Sequence, residues 1–131
     1  MDNAALVRDF YVSWNPDHLA EDVEWRMAEG FPSDGHYRGR KAVFEQWWPR
    51  HAALFPEWRA QPEHVLDAGQ AVVVLGTYSG RASTSQARVT IPFAHIWWIE
   101  DGKIAAFDQH TNTLMLHRAM EADLAPAGLA A

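Results

Sequence analysis

Two apolar stretches of strand length, residues 91–99 and 104–112, flank the dipeptide Asp101-Gly102. Such a pair between two apolar runs marks a tight hairpin, because the central residues of the turn need positive φ. Residues 58–67 and 70–79 read as two more strands, joined through Ala68-Gly69 and, further on, the polar loop 81–86. Pro62 interrupts the first of these and marks an edge or a bulge, since proline cannot donate to the ladder. Four successive strands, 58–67, 70–79, 87–99 and 103–111, therefore form an antiparallel meander.

The first half of the chain has a different period. Leu6, Val7, Phe10, Tyr11 and Trp14 make one stripe of a helix, with Asp2 or Asn3 as its cap and Asn15-Pro16 as its end. Residues 22–28 alternate as a half-buried strand, and 29–39, with three glycines and a proline, read as a loop. A second amphipathic helix carries Val43, Phe44, Trp47 and Trp48, and Pro49 either kinks it or starts a shorter helix. A last helix is expected over about 113–123, followed by a frayed Ala/Gly/Pro tail at 124–131. Helices followed by a run of strands predict an α+β domain over 1–123, in which helices cover the concave face of a curved sheet.

With 131 residues and 48% apolar content, the chain suits one globular core. The absence of cysteine removes disulfides, thiolate metal sites and cysteine nucleophiles. A net charge of −6 argues against nucleic acid or an anionic membrane as partner. The longest aliphatic run, 71–75, falls far short of the ~20 residues of a spanning helix, so a cytoplasmic location is expected. Seven histidines are present, but none shows metal-ligand spacing, so neither a metal nor a cofactor is expected.

Polar residues inside apolar strands are the candidates for chemistry, because a buried polar group is costly without a partner. His95 is one, within the strand 87–99. On the next strand Asp108, His110 and Asn112 share a face by the period of two. A two-residue loop at Asp101-Gly102 pairs Ile99 with Ile104 and sets His95 opposite Asp108, with His110 diagonal to it and Phe93 and Trp97 as walls. A three-residue loop with Gly102 as bulge shifts the register by one and sends Asp108 to the other face. Both remain open at this level, and the alternative for His95 is a satisfied core histidine.

Trp14, Trp47 and Trp48 have helical spacing and are expected in the core. Trp97 and Trp98 must point to opposite faces, so one of them leaves the helix-covered side. An apolar outer face suggests a homodimer formed through it.

Several segments together resemble a known family. They are Asp22-Val23-Glu24-Trp25, the turn Tyr37-Arg38-Gly39-Arg40, and Pro92-Phe93-Ala94-His95-Ile96-Trp97 with Asp101-Gly102-Lys103-Ile104 and Asn112-Thr113. Over residues 3–122 the chain resembles the SnoaL-like polyketide cyclases and ketosteroid-isomerase-related proteins of the nuclear transport factor 2-like superfamily. The resemblance implies a cone-shaped fold with a mixed, mainly antiparallel sheet wrapped around the N-terminal helices. It also implies a dimer, and cofactor-free isomerisation, cyclisation or dehydration of small hydrophobic molecules. It implies an acid/base Asp near the end of the last strand, where this chain has Asn112, an amide that cannot exchange a proton. Ketosteroid isomerases use an Asp of the first strand, and Glu24-Trp25-Arg26 supplies none there. Tyr11 can stand as a phenol donor, and His95 and His110 resemble the paired strand histidines of scytalone dehydratases.

The expectation is thus an acid/base enzyme for a small hydrophobic molecule. His110 is its base or acid, and Asp108 and His95 orient it. Asn112 and Tyr11 bind the substrate oxygen, and Trp14, Trp25, Met27, Phe93 and Trp97 form the apolar wall. The alternatives are a non-catalytic ligand-binding protein of the same fold and a dimerisation or partner module with a filled cone.

Overall fold

The computed structural model describes residues 1–121; the expected tail at 124–131 and the last residues of the expected C-terminal helix lie outside them. In chain order the elements are α1 (Asn3–Ser13), a 3-10 turn (Pro16–His18), β1 (Leu19–Arg26), β2 (His36–Arg38) and α2 (Arg40–Ala42). A π-helical turn (Val43–Trp47) leads into α3 (Trp48–Leu54), then β3 (Glu57–Asp67), β4 (Ala71–Arg81), β5 (Arg88–Glu100), β6 (Lys103–Thr111) and α4 (Thr113–Glu121). All six strands form one sheet in the order β2-β1-β6-β5-β4-β3. β1 runs parallel to β6 and the other pairings are antiparallel, which makes the sheet mixed. The predicted α+β class is therefore correct.

Asp2 caps α1 by accepting from the Ala5 amide at 2.7 Å, and Leu6, Val7 and Phe10 are buried on its inner face. The helix ends at Ser13, where Trp14 turns left-handed with φ 52°. That conformation takes Trp14 out of the expected core stripe and leaves it 37% exposed, as is Trp48, while Trp47 is buried.

Pro49 explains the irregular second helix. It has no N–H for the carbonyl four residues back, and its ring crowds that carbonyl. The backbone accommodates this with a π turn just upstream, in which the Trp48 N–H reaches the carbonyl of Val43, five residues back. Within the expected loop 29–39, β2 pairs with β1, Trp25 lying opposite Tyr37. Three residues are too few to show a period in sequence.

β3 is an edge strand and carries a bulge at Glu63, so both readings of Pro62 hold. Opposite Pro62 sits Gly76, where an added Cβ would lie 2.2 Å from the carbonyl oxygen of Gln61 and 2.5 Å from the ring of Phe93. A side chain there would push β3 away and displace Phe93. On β5, Val89, Ile91, Phe93, His95, Trp97 and Ile99 face inward in strict alternation, and Trp98 is 40% exposed on the other side.

The Asp101-Gly102 turn has two residues, both with positive φ, and it pairs Glu100 with Lys103 and Ile99 with Ile104 as the shorter loop predicts. One step further a bulge intervenes. Trp98 pairs with Ala106, so Ala105 is the extra residue, and every pairing beyond it is shifted by one. His95 therefore faces Gln109, while Asp108 stands opposite Ile96 and His110 opposite Ala94. The longer loop's consequence is realised, but through a bulge inside the strand.

Candidate functional site

The bulge at Ala105 decides which side chains meet. Asp108 and His110 share a face, as the period of two requires, but that face is the outer one. The expected His95–Asp108–His110 cluster does not form. Asp108 instead accepts from Nε and Nη2 of Arg26, its partner across the parallel β1–β6 pairing, at 2.6 and 2.9 Å, and from the Trp98 indole N–H at 2.9 Å. The Arg26 guanidinium holds its carboxyl below the usual carboxylate range. His110 is exposed. Asn112 does not face a cavity but caps α4, accepting from the Met115 amide at 3.2 Å.

What the inner face does assemble is a chain of polar groups in an aromatic chamber. His95, 3% exposed, lies between two phenols: its Nδ1 is 2.5 Å from the Tyr11 oxygen, and its Nε2 is hydrogen-bonded to Tyr78. The Tyr11 oxygen also accepts the Trp97 indole N–H at 3.0 Å. Tyr78 accepts from the side-chain amide of Gln109 at 2.9 Å, and the Gln109 carbonyl accepts the Ala28 backbone N–H at 3.0 Å. Burial raises the pKa of both phenols and holds the imidazole well below its usual value, so all three groups are neutral near pH 7.

Aromatic packing fixes these rings. Phe93 stacks on His95 at 3.9 Å between centroids, and Tyr11 lies parallel to His95 within 4°. Phe107 meets the imidazole edge-on at 4.7 Å. Beside this chain is a cavity of about 30 Å³, lined by Tyr11, Trp14, Trp25, Met27, His95 and Trp97 among others. That volume holds a water or two. Tyr11, Trp14, Trp48, Trp58 and Ala60 are shared with an open groove of about 400 Å³ between the end of α1 and β3. Trp14 and Trp48, 5.8 Å apart, stand where the two meet.

Of the expected wall residues, Trp14, Trp25, Met27 and Trp97 line the cavity directly, and Phe93 supports it from behind His95. Tyr11 and His95 meet at the cavity; Asp108 and His110 meet instead on the outer face, at an open groove with Arg26 and His36, and Asn112 joins neither. Sequence reading missed Tyr78 and Gln109. Tyr78 was within reach, because Val72, Val74, Gly76 and Tyr78 alternate onto the buried side of β4. Gln109 was not, since the period of two placed it with the wrong neighbours until the bulge was known.

A second buried histidine, His51, is held by Ser33 at 2.8 Å, and Ser33 also accepts the Trp47 indole N–H at 3.2 Å. Burial pushes its pKa down to about 3. Its Nε2 has no hydrogen-bond partner among the described residues, and its ring packs perpendicular to that of Trp58 at 4.4 Å. Among the described residues no group of three or more His, Cys, Asp or Glu could hold a metal, and no helix is long and apolar enough to cross a membrane.

Comparison with solved structures places this architecture. A nuclear transport factor 2-like protein from Burkholderia thailandensis superposes with a TM-score of 0.84 at 28% identity, over 89% of this chain and 95% of that one. TerC, co-crystallised with polyporic acid, gives 0.81 at 23% identity over 91% and 98% of the two chains. A phenazine biosynthesis-related protein from Pseudomonas aeruginosa gives 0.77 at 18% identity, over 95% and 87%. No curated protein sequence matches the chain. The model of the SnoaL-like domain matches residues 8–107, and with the sheet order and the inward-facing chamber described above, the chain belongs to the SnoaL-like family and has the nuclear transport factor 2-like fold.

Proposed function

We propose that the chamber binds a small, neutral, hydrophobic molecule bearing an acceptor oxygen, and that the protein acts on it by cofactor-free acid/base chemistry of the isomerase, cyclase or dehydratase type. The observation that carries this reading is the placement of His95 between two phenols at the wall of an aromatic cavity. Tyr11 then donates to the ligand oxygen and stabilises negative charge that develops there. His95 supports the phenol from behind. TerC, of the same fold, was co-crystallised with polyporic acid, a small organic molecule.

A second reading, a binding protein without turnover, is favoured by one feature: no carboxylate among the described residues lines the cavity. Titration of tryptophan fluorescence with a panel of aromatic ketones, quinones and phenols, followed by product analysis of any binder, tests both. Saturable binding with turnover supports the enzyme, and binding without turnover the second reading. Silence across the panel overturns the ligand pocket. A ligand larger than water has to part Trp14 from Trp48, so binding should alter their emission.

The outer face exposes Trp98, Leu75 and Leu66 at 40–51%. We propose that a second copy of the chain covers it, which light scattering on the protein and on Leu75→Glu would check; a monomeric wild type overturns it.

A further inference from the structure

The hydrogen bonds of the chamber have a direction, and one residue outside the cavity's reactive end sets it. The Ala28 N–H, a backbone amide, can only donate, so the Gln109 atom it meets at 3.0 Å is the carbonyl. The other end of Gln109 is then NH2, and it donates to Tyr78 at 2.9 Å. Tyr78 is 3% exposed, and its hydroxyl contacts only Gln109 and His95 among the described hydrogen-bonding groups. With Gln109 donating, the Tyr78 proton has one acceptor left, the Nε2 of His95. The opposite arrangement leaves the Tyr78 O–H no acceptor among the described residues and only the cavity that its ring also lines, although Tyr78 is the more deeply buried of the two phenols.

A neutral imidazole carries one proton, so Nδ1 is the donor and gives it to Tyr11. The Tyr11 oxygen already accepts from Trp97 at 3.0 Å. Both of its lone pairs are thus used, and its own O–H is left for the cavity that the ring lines. Trp25, another lining residue, has an indole N–H with no acceptor among the described residues.

We propose that Gln109 is a positioning residue: anchored by the Ala28 amide, it polarises the chain Gln109→Tyr78→His95→Tyr11, so that His95 is the Nδ1–H tautomer and Tyr11 offers the cavity a proton. The cavity is therefore selective for hydrogen-bond acceptors such as carbonyl or quinone oxygens, and it disfavours phenols and amines, which bring a donor of their own. This inference rests on the reading of the chamber as a ligand site, but its main test needs no ligand.

Two-bond ¹H–¹⁵N spectra of histidine-labelled protein at pH 7 distinguish the two neutral tautomers. His95 and His51 are the buried pair, and His51→Gln removes one set of signals and so assigns both. Expected is a single Nδ1–H form for His95, by roughly tenfold or more. An Nε2–H form in the wild type overturns the proposal. In Gln109→Met, which keeps length but loses both amide functions, the Nδ1–H preference should collapse to a mixture. Retention of the pure tautomer there shows that something other than Gln109 sets it. If that variant does not fold, the wild-type spectrum decides alone. The proposal survives a ligand screen without turnover, whereas the enzyme reading does not.

Discussion

Tyr11 on the first helix and His95 on the fifth strand lie with their rings parallel within 4° and the phenol oxygen 2.5 Å from Nδ1. Tyr11→Phe keeps that stacking and removes only the oxygen. Two donors, Trp97 Nε1–H and His95 Nδ1–H, then lose their acceptor, at a cost of about 1–3 kcal/mol where no water replaces it. Urea denaturation should show that loss, and ligands found in the wild-type screen should bind about tenfold more weakly.

Asp108 and His110 should behave as outer-face residues. Asp108→Asn gives up the ion pair with Arg26 in a partly solvated setting, so roughly 1 kcal/mol of stability goes and no more. His110→Ala should change stability by less than about 0.5 kcal/mol. Neither should alter ligand affinity in fluorescence titrations. A large loss of binding in either variant would return chemistry to the outer face.

Gly76→Ala places a Cβ 2.2 Å from the Gln61 carbonyl oxygen and 2.5 Å from the Phe93 ring. Neither neighbour moves freely, since one is strand backbone and the other is clamped on His95. The expected cost is about 3 kcal/mol or more, measured by urea denaturation.

Acid should destabilise the protein well before its carboxylates titrate. His51 stays neutral in the folded chain down to about pH 3, whereas in the unfolded chain it takes up a proton below about pH 6.5. The unfolded state then binds more protons, so stability falls as pH drops through that window, by about 1.4 kcal/mol per pH unit for His51. His95 acts in the same direction. Unfolding free energies at pH 7 and pH 5 check this, and His51→Gln should lower the slope by about one proton.

Deleting Ala105 tests the bulge. Without it, Ile104 and Ala106 become neighbours, the pairs Ile99–Ile104 and Trp98–Ala106 join without interruption, and residues 106–111 keep their faces. Retention of cooperative thermal unfolding by circular dichroism is the expected outcome; a deletion variant that does not fold would mean that Ala105 is not the spare residue of this register.

Local rules reach far into this protein. The four long strands, the capped first helix, the Asp101-Gly102 turn and the split between Trp97 and Trp98 follow from alternation, turn chemistry and capping, which act over a few residues. The inward orientation of His95 also follows, because its whole strand alternates. What tertiary structure alone decided is the partner of His95. A bulge at Ala105 leaves no mark in the sequence: alanine suits either face, and the one-residue slip is selected because it buries Phe107 and Gln109 and pairs Asp108 with Arg26. The Arg26–Asp108 pair joins β6 to β1 across 82 positions, and a two-residue period read along one strand does not contain it.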